Sequence, residues 1–168
     1  QGAEGSLSFV HQCIKLGIPY MFDPGFILTQ VTDEDLELGC KHASYITLNE
    51  YELHLVQSRV KDWKELIKGK TIITTLGAKG ATIEAEGKIY TIKTAEAEKI
   101  GATTGAGDAW RGGFLAGLKR NFDLQTCGQM GAIAAVYAVE QYGTQDQLYT
   151  KAVFAKRYKA TYNADINI

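Results

Sequence analysis

Apolar positions change their period several times along the chain, and each change marks an element. Between residues 6 and 17, Leu7, Val10, Cys13, Ile14 and Leu16 recur mostly every three to four positions, the spacing of one helix face. Ser6 can cap that helix and Gly17 can stop it. Ile18-Pro-Tyr-Met-Phe22 predicts a short buried strand closing in Asp23-Pro-Gly25. Thr32, followed three residues later by Asp35, predicts a short capped helix over 32–38. Strands are predicted over 43–48 and 71–75. Between them Asn49-Glu-Tyr-Glu52 opens a helical stretch with Leu53, Leu55 and Val56, and 63–67 forms a brief helix. Residues 81–92 predict a hairpin with Glu86-Gly87 in its turn. Past residue 100 the period is helical again, through Trp110, Phe114, Leu115 and Leu118. The small-residue run Cys127–Val139 predicts a second helix suited to close packing, and 153–158 a last one capped by Thr150. Alternating helices and strands predict an α/β domain, a mostly parallel sheet flanked by helices.

The chemistry concentrates where the third quarter of the chain turns from loop to helix. Gly101, Ala102, Gly105, Ala106 and Gly107 make a turn too small to carry bulk, and Asp108 follows at once. A helix start leaves backbone N–H groups unpaired and carries partial positive charge, so it attracts anions, phosphate above all. Glycines let that backbone approach a phosphate without a Cβ in the way. A carboxylate is a poor phosphate ligand, so Asp108 suits proton abstraction from a hydroxyl that attacks phosphorus. The alternative is an ordinary strand-to-helix turn whose acid complements the helix dipole. No Gly-Lys-Ser/Thr follows, which excludes a Walker loop, and the Gly-x-Gly-x-x-Gly dinucleotide pattern is not met.

Composition narrows the class without naming a partner. The 168 residues carry 45% hydrophobic and 22% charged residues, with a formal net charge of -1. That is the profile of one globular domain, and it gives no support to a nucleic-acid or membrane-surface role. No apolar stretch reaches transmembrane length, and Gln1-Gly-Ala-Glu-Gly5 resembles no signal peptide. Cys13, Cys40 and Cys127, odd in number and far apart, are expected to be small buried hydrophobes in a reducing, cytoplasmic setting. The absent initial methionine raises the expectation of a processed or truncated chain.

Other candidates stand with two readings each. Asp23 either faces the crevice at the carboxyl end of a parallel strand or initiates a turn before proline. Asn49 and Glu52 either form a capping box or hold a metal-bound water near phosphates. The Gly77/Gly80 loop is either a tight turn or a source of backbone donors to a nucleotide. In the predicted sheet, the strand ends at Asp23, Asn49 and Thr75 and the loop from Gly105 to Asp108 converge on one crevice.

Three segments carry a resemblance: Asn49-Glu-Tyr-Glu52, Thr75-Leu-Gly-Ala-Lys-Gly80 and Thr104-Gly-Ala-Gly-Asp-Ala-Trp-Arg-Gly-Gly-Phe114. In this order and spacing they resemble the signatures of the ribokinase/adenosine-kinase-like, PfkB-type carbohydrate kinases. The Gly-Ala-Gly-Asp segment is the most specific, and Asp23-Pro-Gly25 with Gly143-Thr-Gln145 is most similar to the bacterial adenosine-kinase-like branch. The resemblance implies a ribokinase-like three-layer α/β/α fold. It implies an ATP-dependent transfer of a γ-phosphoryl group to a hydroxyl of a sugar or nucleoside. Asp108 would be the base, and Gly105, Ala106 and Gly107 the N–H anion hole. Asn49 and Glu52 would organise Mg²⁺ and its waters. Thr75 and Gly77 would contact the phosphates of ATP, Gly80 would belong to the same nucleotide-binding loop, and Gly143, with the helix around Gly131–Val136, would border the adenine.

Two departures qualify that picture. Family members usually carry an acid where Ala102 stands, one that helps hold an activating monovalent cation; alanine leaves such activation in doubt. Family kinases are also roughly twice as long. The resemblance therefore takes residues 1–168 as one carboxyl-terminal portion, with the amino-terminal part, the lid and most acceptor contacts missing, and homodimer formation assigned to the full-length protein. A non-catalytic nucleotide-binding module and an inactive truncated fragment are the alternatives.

Overall fold

The computed structural model describes residues 2–144, 146 and 148–168. They form two compact units, residues 2–76 with 82–89 and residues 77–81 with the described residues from 90 on.

In the first unit, helix α1 (Ala3–Leu16) is capped at Gly2, four residues before the cap that the sequence suggests. Its start carries no side-chain cap, so the sequence held no signal for it there; Ser6 lies within the first turns and donates its N–H to the Gly2 carbonyl. Gly17 ends the helix in the left-handed conformation at φ 64°. Strand β1 shrinks to Met21–Phe22, and a 3-10 turn over Gly25–Thr29 follows. Helix α2 (Asp33–His42) begins as expected, with Thr32 Oγ1 accepting the Asp35 N–H at 3.1 Å, but runs a full turn further. Then come β2 (Tyr45–Asn49), α3 (Glu50–Arg59), α4 (Trp63–Leu66) and β3 (Thr71–Thr75), followed by β4 (Ala81–Ala85) and β5 (Lys88–Ile92), of which Ala81 and residues 90–92 belong to the second unit. Strand order in the sheet is β1-β2-β3-β4-β5. The β1–β2 and β2–β3 pairs are parallel, Tyr45 opposite Thr71 and Asn49 opposite Thr75. Glu86 and Gly87, at φ 52° and 73°, make the two-residue hairpin turn between β4 and β5. The core of this unit gathers Phe22, Leu36, Cys40, Ile46, Leu48, Val56 and Ile72. The middle three residues of each parallel strand are buried, Ile46-Thr-Leu48 in β2 and Ile72-Ile-Thr74 in β3, so both faces of these strands are covered even though threonines stand among the apolar residues.

The second unit is built on a helix pair, α5 (Ala106–Leu118) and α6 (Leu124–Val139), joined later by α7 (Lys151–Tyr162). Helix α6 begins three residues before the small-residue run. Asp123 caps it, accepting the Thr126 N–H at 2.9 Å and the Thr126 hydroxyl at 2.9 Å. Helices α5 and α6 touch backbone to backbone. A Cβ on Gly113 would lie 2.6 Å from the Met130 carbonyl oxygen, one on Gly117 2.9 Å from Cys127 Sγ, and one on Gly131 2.8 Å from the Trp110 carbonyl oxygen. Met130, Ile133, Ala134, Phe154 and Tyr158 fill the core of this unit. Thr150 caps α7 as the sequence predicts, through the Val153 N–H.

Cys40 and Cys127 are fully buried and Cys13 half-buried. Burial pushes the Cys40 thiol up to about 12 and the Cys127 thiol up to about 11, which keeps both protonated and inert. Among the described residues no helix is long and apolar enough to cross a membrane.

Candidate functional site

In the first unit the candidates sit where two parallel strands stop. Asn49 ends β2, Thr75 ends β3, and the register sets them side by side. The extended backbone of Asn49 lets its Oδ1 accept the Glu52 N–H at 2.8 Å, while Glu52 Oε2 accepts the Asn49 N–H at 2.8 Å. This is the reciprocal capping box foreseen as one reading of the pair. It does not exhaust the ligand oxygens, because Glu52 Oε1 lies outside both bonds. Asp23 directly follows β1 and precedes the 3-10 turn, its Oδ1 3.2 Å from where a Cβ on Gly25 would stand.

A Mg²⁺ ion dehydrates reluctantly and is held by one or two carboxylates, its own waters and substrate phosphates. One carboxylate and one amide oxygen at the head of α3 fit such a hydrated ion. They do not make an all-protein cage, and no group of three or more His, Cys, Asp or Glu suited to a metal occurs among the described residues.

In the second unit Gly77 opens a 3-10 turn (Gly77–Lys79) at φ 58°, and its flank is open space. Gly80 is different. At φ 97°, a Cβ there would stand 2.0 Å from the Ile92 carbonyl oxygen, so backbone proximity alone requires glycine.

The glycine loop runs alongside the end of α6. The N–H groups of Gly101 and Ala102 both donate to the Val139 carbonyl, at 2.8 and 3.3 Å, and a Cβ on Gly101 would meet the Gln141 carbonyl oxygen at 2.6 Å. Gly105, at φ 85°, caps α5 with its flank against Thr144. Ala106, Gly107 and Asp108 form the first turn, whose N–H groups have no intrahelical acceptor. The Ala106 N–H donates to the Thr103 carbonyl at 3.2 Å, so this first-turn donor is already committed to a nearby backbone oxygen. Gly143 lies in the bend after α6, and a Cβ there would collide with Asp146 Oδ2 at 1.9 Å. Gln145, the last residue of that expected segment, lies outside the described residues.

Asp108 is the third residue of α5 and its side chain is 78% exposed. Arg111, one turn on, donates to Asp108 Oδ1 through Nη2. The i,i+3 spacing of this pair was open to sequence reading, though Arg111 drew no notice there. A second ion pair was out of reach of any local pattern. Glu140, the residue after α6, and Arg157 on α7 join through two hydrogen bonds of 2.8 and 2.5 Å, with side-chain exposures of 8% and 14%.

Arg157 chiefly, helped by the Glu98 N–H, holds the Glu140 carboxyl below its ordinary value against the opposing effect of burial. A depressed native pKa stabilises the fold fully above the unfolded value of 4.5, and the contribution is lost as pH falls through the lower native value. Urea unfolding followed from neutral pH to below 4.5 is therefore expected to show acid sensitivity that is weaker in Glu140→Gln. An identical pH slope in the variant would show that this carboxyl contributes none of it.

With the geometry in hand, known proteins supply the class. Residues 5–151 match the pfkB family of carbohydrate kinases, and the chain belongs to that family. It is 35% identical over 133 residues to a nucleoside kinase of Methanocaldococcus jannaschii, covering 77% of this chain and 43% of that protein. The nucleoside kinase of Burkholderia thailandensis in complex with inosine superposes with a TM-score of 0.92 at 28% identity, over 97% of this chain and 55% of that one. The same enzyme in complex with ADP-inosine gives 0.92 at 29% identity, over 96% and 51%. The fold is ribokinase-like α/β, as the motifs implied. The chain spans about half the length of these relatives.

Proposed function

We propose that this chain supplies the phosphoryl-transfer residues of an ATP-dependent kinase acting on a hydroxyl of a nucleoside. The observation that carries the reading is the glycine turn feeding α5, with Asp108 exposed at its third position in a chain of the pfkB family. Nucleoside is favoured over free sugar because relatives of this chain are nucleoside kinases, one of them in complex with inosine.

Asp108 takes the proton of the acceptor hydroxyl as its oxygen attacks the γ-phosphorus. The new P–O bond forms as the bond to the bridging oxygen of ADP breaks, and ADP departs with that electron pair. First-turn N–H groups from Gly105 to Asp108 face the negative charge on the equatorial oxygens. Ala106 joins them by giving up its bond to Thr103. Thr75, Gly77 and Gly80 border the phosphates and Gly143 the adenine. Asn49 and Glu52 would hold Mg²⁺ through its waters, and the bound ion would supply neutralisation of phosphate charge.

The test uses the full-length protein that contains this sequence, with γ-labelled ATP, Mg²⁺ and inosine, adenosine or ribose. Label is expected in a nucleoside monophosphate. Tight Mg-ATP binding with no label on any acceptor would leave a nucleotide-binding module in place of the kinase. Glu52→Gln separates the two roles of that residue, since glutamine also completes a capping box. Stability should stay within about 0.5 kcal/mol while the Mg²⁺ needed for half-maximal rate rises about tenfold. An unchanged Mg²⁺ requirement would reduce Glu52 to a cap.

A further inference from the structure

The buried Glu140–Arg157 pair does more than join α6 to α7. Glu140 Oε1 accepts the N–H of Glu98 at 2.7 Å, and Arg157 Nη2 donates to the carbonyl of Glu96 at 2.8 Å. Both backbone groups belong to the segment that leads into the glycine loop. Three to six residues further along the same segment, Gly101 and Ala102 are tied to the Val139 carbonyl, and Gly101 lies flat against Gln141. Glu140 thus sits between the two residues that grip the loop, and it grips the approach itself. Tyr137, one turn earlier on α6, places its ring 4.6 Å from the Arg157 guanidinium carbon, and Tyr149 stacks on that ring at 4.4 Å. The guanidinium is therefore fixed from three sides.

Placing such a pair away from water is costly unless its remaining hydrogen-bonding capacity is used. Here that capacity goes to one strand of backbone, and the strand leads to Gly105 and Asp108. The bend at Gly143 follows Glu140 by only three residues, and Thr144, the next residue, lies against Gly105 of the loop.

We propose that Glu140 and Arg157 are positioning residues that latch the 96–102 segment, so that the turn from Gly105 to Asp108 is held ready for the phosphates of ATP. The loop-holding role rests on the contacts above; the role toward ATP rests on the proposed kinase function. Lysine at 157 keeps the charge but lacks the planar fork needed to serve Glu140 and Glu96 together. Glutamine at 140 keeps the shape and loses the charge.

The test measures amide hydrogen exchange in wild type, Arg157→Lys and Glu140→Gln, with the kinetics of the full-length protein beside it. Amides of Glu98, Gly101 and Ala102 should exchange about fivefold faster or more in both variants, while those of Ile46–Leu48 and Ile72–Thr74 stay unchanged. KM for ATP should rise about threefold to tenfold, with KM for the nucleoside unaltered. Faster exchange spread equally over both units would reduce the pair to general stability and overturn the latch. Unchanged exchange at 98–102 would overturn it as well, and Arg157→Lys, the milder change, serves if Glu140→Gln does not fold. If wild type neither binds nor turns over ATP, the kinase reading fails on its own, visibly and without any variant, and the role toward ATP falls with it.

Discussion

Asp108→Asn should lower kcat for phosphoryl transfer by about 10²–10⁴-fold, the usual contribution of a positioned general base. Asparagine keeps the size of the side chain and an oxygen for the Arg111 guanidinium to reach, but its amide takes no proton. Magnitudes separate this reading from the structural one. An exposed i,i+3 ion pair and an acid complementing a helix dipole are worth at most about 1 kcal/mol each. Loss of the base adds about 3–5 kcal/mol to the barrier. With 78% of the Asp108 side chain in solvent, unfolding stability should barely change. Steady-state kinetics beside a urea melt decide: turnover within a few-fold of wild type would remove Asp108 from the chemistry, and a large loss of stability would mark it as structural.

The second large effect concerns adjacent glycines with opposite surroundings. Gly113→Leu should cost about 3 kcal/mol or more, because even its Cβ would stand 2.6 Å from the Met130 carbonyl oxygen and 2.9 Å from the Ala134 Cβ. Helix α5 would have to move off α6, and the obstacle is backbone, which cannot swing aside as a side chain does. Gly112 has nothing within 4 Å of its missing Cβ. Gly112→Ala should therefore stabilise by about 0.5–1 kcal/mol, the helix-propensity difference. Denaturant midpoints for both variants make the check; equal shifts at the two positions would mean that the close helix contact does not exist.

Local signals were legible and distant ones were not. The box at Asn49 and Glu52, the cap at Thr32, the hairpin turn at Glu86-Gly87 and the span of β3 each depend on residues within four positions of one another. Sequence reading reached all of them. The start of α1 escaped because Gly2 caps it without a side chain, while Ser6 offered a plausible but false cap. The start of α6 had a signal, Asp123 three residues before Thr126, hidden by the more conspicuous small-residue run that follows. Sequence reading found the small turn and the acid at Gly105–Asp108, yet not that the Ala106 N–H is committed to Thr103. It missed the Glu140–Arg157 pair altogether, because seventeen residues and a helix boundary separate the partners. No periodicity links such positions; only the packing of α7 brings them together.

Helix α7 begins at Lys151, the residue where the match to the pfkB family ends. Beyond that limit lie Phe154 and Tyr158, which are buried, and Arg157, which reaches the backbone at Glu96. A boundary drawn from family likeness would cut this chain at its seam. A protein trimmed to residue 151 would keep every residue assigned to phosphoryl transfer and lose a wall of its own core. The stretch that carries no signature is the one that the signature leans on.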